Sequence, residues 1–241
     1  MVRAGEIEHG LLIAGQAERV WNWASPAGTE RARRRAELIL AAAGVDADAR
    51  VLELGCGTGL FTRTFARTGC QLVALDVSEP LLEQARARTD NPRVEYRLGD
   101  AEQLEEAEAS FGAVLGSSIL HHLNLEPALA EMFRVLKPAG RCAFAEPNMM
   151  NPQIALQRNV PFLRRWAGES PEETAFFRSR LARQLRAAGF VDVRVTPFDF
   201  LHPAVPAPLI GIVDRVGRFV ERVPVLREIS GSLLISGSKP V

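Results

Sequence analysis

Apolar and polar positions change their period along the chain. Residues 6–24 carry apolar side chains at roughly helical spacing, with Trp21 and Trp23 near the end. SPAGTE, 25–30, reads as a turn and helix start, and 31–44 as a helix stopped by Gly44. Leu38 and Ala42 share one face of that helix, with Arg31, Arg34 and Arg35 off it, so the arginines are expected on a solvated face. A rhythm then begins. Short apolar runs at 50–55, 71–76, 94–100, 113–118 and 141–147 predict strands, and 60–68, 78–89 and 125–137 predict helices between them. Ser78 is placed as an N-cap, and Pro138 ends the third of these helices. After a pause, 175–190 predicts a helix and 191–198 a strand; after a second pause, 230–240 predicts a last strand. Strands alternating with helices predict βαβ units and an α/β fold with a parallel sheet covered on both faces.

The pauses sit between core elements. They are expected to be insertions, at about 148–174 and 198–230, in a single domain spanning 1–241 with an N-terminal helical cap over about 1–44. In the second insertion Leu209, Val213, Val216, Val220 and Val223 recur at helical spacing, with Arg215, Arg218 and Arg222 off that face. The pattern suits a helix packed on its own domain, a lid over an apolar ligand, a dimer face or a surface that meets lipid.

Composition narrows the classes. Twenty-nine basic residues balance 29 acidic ones, which argues against a dedicated nucleic-acid binder. Aromatic residues make up only 7% of the chain, too few for a base-stacking platform. The three cysteines, Cys56, Cys70 and Cys142, are scattered, so neither a disulfide framework nor a zinc site is expected, and no metal site is assigned. The N-terminal stretch lacks the pattern of a secretory signal, and no apolar run reaches the ~20 residues of a membrane span. A cytoplasmic setting is expected.

The chemistry concentrates at VLELGCGTGLF, 51–61, where a strand leads into Gly55, Gly57 and Gly59 and then a helix. Such a turn lets a ligand approach the backbone beside the free N–H groups of a helix start. The spacing is not Gly-x-Gly-x-x-Gly, and no Gly-Lys-Ser/Thr follows, so neither a dinucleotide site nor a phosphate loop is indicated. Asp76 ends the second strand, where an acid can take both hydroxyls of a ribose. Asp100 and the Ala101 N–H, after the third strand, can meet an amine and a ring nitrogen of a base. Ribose plus adenine without a phosphate cradle describes S-adenosylmethionine (SAM).

With VLELGCGTG, LVALD, LGDAEQL, FGAVLGSSILHHL and RVLKPAGR in this order and spacing, the chain resembles the class I SAM-dependent methyltransferases over about 35–147. The resemblance implies a Rossmann-like seven-stranded, mostly parallel sheet of order 3-2-1-4-5-7-6, its last strand antiparallel. It implies that Glu53, Gly55, Cys56, Gly57 and Gly59 line the SAM pocket. Asp76 would bind ribose, Val77 would flank adenine, and Asp100 and Ala101 would meet its edge. Ser117 and Ser118 would lie under the sulfonium and amino group, and Arg31 or Arg33 would reach the carboxylate. Gly112 departs from the family, which usually has Asp there, away from the cofactor.

For the methyl acceptor, His121 and His122 follow the fourth strand, where a neutral imidazole can take a proton, His121 being slightly favoured. Glu146 ends the fifth strand at the same edge and, with Asn148, is expected to orient the acceptor. The expected activity is methyl transfer to an O, N or C atom of a small or lipid-like metabolite, with homodimerisation and peripheral membrane contact as expected uses of the insertions. The alternative is a SAM-binding protein that does not methylate. The Asn-Pro-Pro-Tyr type motif of base methylation is absent, so a nucleic-acid acceptor is not expected.

Overall fold

The computed structural model describes residues 15–160 and 175–241, so the predicted helical spacing before residue 15 and most of the first insertion lie outside the described residues. Strands β1 (Arg50–Leu54), β2 (Gln71–Asp76), β3 (Val94–Leu98), β4 (Phe111–Ser117), β5 (Leu136–Pro147), β6 (Val191–Phe198) and β7 (Ser232–Ser238) form one sheet. Its order is β3-β2-β1-β4-β5-β7-β6, and β7 runs antiparallel to both β5 and β6. This is the Rossmann-like order that the resemblance implied.

The two faces follow from period-2 alternation in the strands. Leu52, Leu54, Val73, Leu75 and Phe144 face one core with Met132 and Leu181. Val51, Leu72, Leu115 and Ala143 face the other with Ile39 and Phe65. Each fully buried Leu or Phe contributes roughly 2 kcal/mol. The first core is covered by α5 (Leu125–Val135) and α7 (Arg178–Ala187), the second by α2 (Pro26–Ala43) and the short α3 (Thr62–Phe65). Between them α1 (Ala17–Val20) lies beside α4 (Glu79–Arg88), α6 spans Pro152–Asn159, and α8 (Ile210–Val220) and α9 (Pro224–Arg227) lie between β6 and β7.

Local chemistry sets the ends. Ser25 caps α2 by accepting from the Gly28 N–H at 2.9 Å, and Gly44 stops the helix at φ 63°. α5 stops at Val135, two residues short of the predicted end. Pro138 disfavours helical backbone at Lys137, so the chain enters β5 early. Ser78 stands at the N-cap of α4, but its hydroxyl makes no capping bond; its N–H instead donates to Asp76 at 3.0 Å.

Two helix faces differ from their predicted ones. In α2 the packed positions are Ala32, Arg35, Ala36, Ile39 and Ala43. Arg35 is buried, its guanidinium over the Trp23 and Phe198 rings at 5.1 and 5.9 Å, because rings and hydroxyls replace its water. In α8, Gly217 is the buried position, against Phe200, while Leu209 before the helix and Val216 within it are exposed. A glycine lets the backbone dock there, with Val213 and Val220 half-buried beside it and Ile212 and Val216 turned outward.

Gly59 at φ 76° would place a Cβ 3.0 Å from Ala85 Cβ, whereas Gly112 has its nearest neighbour at 3.8 Å. Gly59→Ala should cost about 1–2 kcal/mol from the left-handed backbone alone, and Gly112→Ala should change the melting temperature little. Equal losses in the two variants would contradict this reading.

Candidate active site

The carboxyl ends of β1, β2, β4 and β5 place the site residues along one sheet edge. The β1–α3 turn has Gly55, Gly57 and Gly59 at φ 65°, 53° and 76°. Glycine is required here first by the backbone and by close neighbours. A Cβ on Gly55 would lie 2.6 Å from Ile119 Cδ1, and one on Gly57 would lie 3.1 Å from the Trp21 ring.

Asp76 holds this turn. One carboxylate oxygen accepts from the Gly57 N–H at 2.8 Å, the other from Ser78. Burial pushes its carboxyl up, and the N–H groups of Gly57, Ser78 and Val77 oppose that rise. Glu53, on β1, is buried with Oε2 finding no hydrogen-bond partner among the described residues. Burial pushes its carboxyl up to about 8, the nearby Asp76 charge adding to the shift and the Thr62 hydroxyl opposing it. Cys56 is buried between these acids, and its thiol is raised by burial.

After β3, the Gly99 N–H donates to the Asp76 carbonyl, which brings Asp100 and the buried Ala101 beside β2. The Asp100 carboxylate accepts from the Glu102 N–H at 2.8 Å, so it also organises its own turn. Val77 is half-buried at the same edge. Ser117 and Ser118 end β4, and the Arg35 guanidinium donates to both hydroxyls, at 3.4 and 3.0 Å, and to Ser232. Burial lowers Arg35 to about 10, which leaves it charged at neutral pH.

Of the two arginines singled out in the sequence, Arg31 lies beside Arg35, both over the Trp23 ring. Arg31 pairs with Asp199 at 2.9 Å. Arg33 is on the solvent side of α2 between Glu30 and Glu37 and does not join the cluster. The sequence reading missed Arg35 because one buried guanidinium in a run of arginines leaves no periodic signal.

It also missed a tie across the glycine turn. The Thr58 hydroxyl donates to Glu18 at 2.9 Å, and Arg88 donates to Thr58 and pairs with Glu18. With Trp21 against Gly57, these contacts fasten α1 over the turn.

Glu146 is fully buried and takes three hydrogen bonds: from the Ile119 N–H at 2.9 Å, the Leu120 N–H at 2.8 Å and His121 Nδ1 at 2.6 Å. Burial raises its carboxyl, but the His121 imidazole and the two backbone N–H groups outweigh burial and hold it below the usual range. An ionised carboxylate only accepts, so Nδ1 carries the proton and the Nε2 lone pair is the basic one. The His122 ring lies against His121, tilted by 38° with centroids 4.1 Å apart. His121 is buried; His122 is half-buried, and its protonated form lowers the Asp76 carboxyl. Asn148 is occupied by the Glu228 and Ser230 carbonyls and braces the start of β7. Among the described residues no group of three or more His, Cys, Asp or Glu side chains could hold a metal ion.

The fold and this edge define a nucleoside-binding α/β protein, and the comparisons specify its class. The methyltransferase domain family matches residues 52–144. A demethylmenaquinone methyltransferase from Renibacterium salmoninarum is 40% identical over 116 residues, covering 47% of this chain and 48% of that protein. The chain thus aligns with about half the length of that relative. A ubiquinone/menaquinone biosynthesis C-methyltransferase from Desulfotalea psychrophila is 31% identical over 207 residues, covering 77% of this chain and 82% of that protein. A chain from the complex of the Haloferax volcanii Trm112 methyltransferase activator with a methyltransferase superposes with TM-score 0.73 over 100% of both chains, at 23% identity, a likeness of fold. The chain belongs to the class I SAM-dependent methyltransferases. SAM is the cofactor of that family, and an edge bearing buried carboxyls around a glycine turn fits a cationic nucleoside.

The two buried glutamates should act oppositely on stability. Glu146, held low, contributes stability that is full above the ordinary carboxylate range and lost as pH falls through its lowered value. Glu53, raised to about 8, contributes stability that is full below the ordinary range and lost as pH rises through about 8. Melting curves should show Glu146→Gln less stable at pH 7 by about 1–3 kcal/mol, the deficit closing in acid. Glu53→Gln should match wild type at pH 4 and exceed it at pH 9 by on the order of a few kcal/mol. Parallel shifts at all pH values would contradict these assignments.

Proposed function

We propose that the protein transfers the methyl group of SAM to a small acceptor with an apolar, lipid-like body and an ionisable ring position, as in a reduced quinone. The observation that carries the proposal is the shared sheet edge: the Asp76 and Glu53 carboxyls around the glycine turn lie beside the His121–His122 pair anchored on Glu146. Among its relatives, those named as demethylmenaquinone and ubiquinone/menaquinone methyltransferases support the acceptor class.

In this reading Asp76 takes the ribose hydroxyls, Val77 flanks the base, and Asp100 with the Ala101 N–H meets its edge. Glu53 and the turn 55–59 receive the methionine end, with Ser117 and Ser118 beneath it. Arg31, already paired with Asp199, is a weaker partner for the carboxylate than the buried Arg35 beside those serines. SAM supplies an activated methyl, so the chain's work is alignment, exclusion of water and removal of the acceptor proton.

His122, half-buried on the Asp76 side, is the base that meets the acceptor. His121 and Glu146 are positioning residues: the Glu146 hydrogen bond to Nδ1 fixes the His121 ring, and the adjoining His122 is oriented on it. Nucleic acid is not the acceptor in this reading, because the net charge is +0 and no base-stacking surface is assigned. An acceptor with a long apolar tail resides in a bilayer, so the protein must meet a membrane to reach it.

Incubation with SAM and a short-tailed demethylated quinol should yield S-adenosylhomocysteine (SAH) and a methylated product. His122→Ala should lower kcat by 10²–10⁴ with the Kd for SAH unchanged. Glu146→Gln should lower kcat less and displace the pH–rate profile. SAH bound tightly with no turnover on any acceptor would favour a SAM-binding protein that does not methylate.

A further inference from the structure

The segment between β6 and β7 presents an apolar stripe. Ile212, Val216 and Phe219 are 60, 55 and 67% exposed, with Leu209 before them and Val225 and Leu226 of α9 after. Ile212, Val216 and Phe219 recur at intervals of four and three, so they line one side of α8. The side packed on the domain is a different one, centred on Gly217 against Phe200. A shallow apolar groove of about 290 Å³ runs between the two, lined by Phe200, Ile212, Val213, Val216, Gly217 and Val220.

Charge is sorted across the same helix. Glu221 turns inward, pairing with Arg34 and accepting from the Asp199 N–H at 2.8 Å, and Asp214 pairs with Arg218 at 2.7 Å. Arg215, Arg218 and Arg222 are exposed along one border of the stripe. The outward surface therefore combines apolar side chains with a cationic rim.

Position adds a third observation. Phe198 at the end of β6 and Pro147 at the end of β5 both register with Ser232 at the start of β7. α8 and α9 thus leave and re-enter the sheet at the edge that carries Glu146, and the Arg34–Glu221 and Arg31–Asp199 pairs fasten the segment to α2. Among the described residues no helix is long and apolar enough to cross a membrane.

We propose that the stripe from Leu209 to Leu226 docks on the surface of an anionic bilayer, apolar side chains among the acyl chains and Arg215 and Arg222 on the headgroups. This rests on the acceptor assigned above only in its purpose: docking turns the site edge toward the lipid that would hold such an acceptor. The rim requires anionic headgroups, since a neutral surface offers the arginines no counter-charge.

The test is co-flotation of the intact protein with phosphatidylcholine vesicles, with and without 30 mol% phosphatidylglycerol, beside analytical ultracentrifugation without lipid. Wild type should float with the anionic vesicles, much less with neutral ones, and be released by 0.5 M salt. Ile212→Ser/Phe219→Ser should bind at least tenfold more weakly with an unchanged melting temperature. Arg215→Gln/Arg222→Gln should lose roughly fivefold per arginine and most of the lipid selectivity. Wild type that fails to float at millimolar anionic lipid would overturn the proposal. So would a dimer, without lipid, that Ile212→Ser/Phe219→Ser dissociates, since a second copy would then cover the stripe. Turnover of a short-tailed, water-soluble acceptor should be unchanged in both variants; if no acceptor is turned over while flotation persists, the acceptor assignment fails and the docking surface stands.

Discussion

The hydrogen bond from the Gly57 N–H to Asp76, 2.8 Å long and buried, is the contact on which the site depends. It joins the end of β1 to the end of β2 through a turn that cannot pair in the sheet. Left-handed backbone at three glycines costs no side-chain clash, but it leaves N–H groups that must find acceptors. Asp76 supplies one, and burying the carboxylate for this purpose raises its own pKa; Glu53 is raised by its own burial first, with the Asp76 charge adding to it. The Asp76 carboxyl that orders the turn also gives the edge an acceptor for hydroxyl donors. Trp21 and the Glu18–Thr58–Arg88 tie close the turn from the N-terminal side.

A second buried carboxylate, Glu146, organises the other half of the edge. It gathers two backbone N–H groups and His121, so the loop after β4 is fixed before any acceptor arrives. His121, slightly favoured as a base from its place in the chain, is in the structure the buried partner of Glu146, and His122 has the exposure that an acceptor needs. The two rings sit 4.1 Å apart, so what separates them is burial, which spacing along the chain does not show.

Much of the fold was legible. Alternating strand and helix periods gave all seven strands near their observed places, because buried parallel strands concentrate apolar residues and glycines mark the turns. The strand order came from the motif series, since period alone does not say which strands pair. The failures have specific causes. Arg35 was read as solvated because patterning treats arginine as polar, while here two rings and three serine hydroxyls take the place of water. The face of α8 was assigned to its valines, yet Gly217 lets the helix dock on its side, leaving Val216 and Phe219 outside.

The most direct test is to titrate ¹⁵N-labelled protein with SAH and follow the backbone amides. The account predicts saturable shifts at Gly57, Ser78 and Ala101, the N–H groups around Asp76 and the third-strand turn, with α8 amides unmoved. Absence of shifts at those three residues, or shifts confined to α8 and α9, would contradict the placement of the cofactor on this edge.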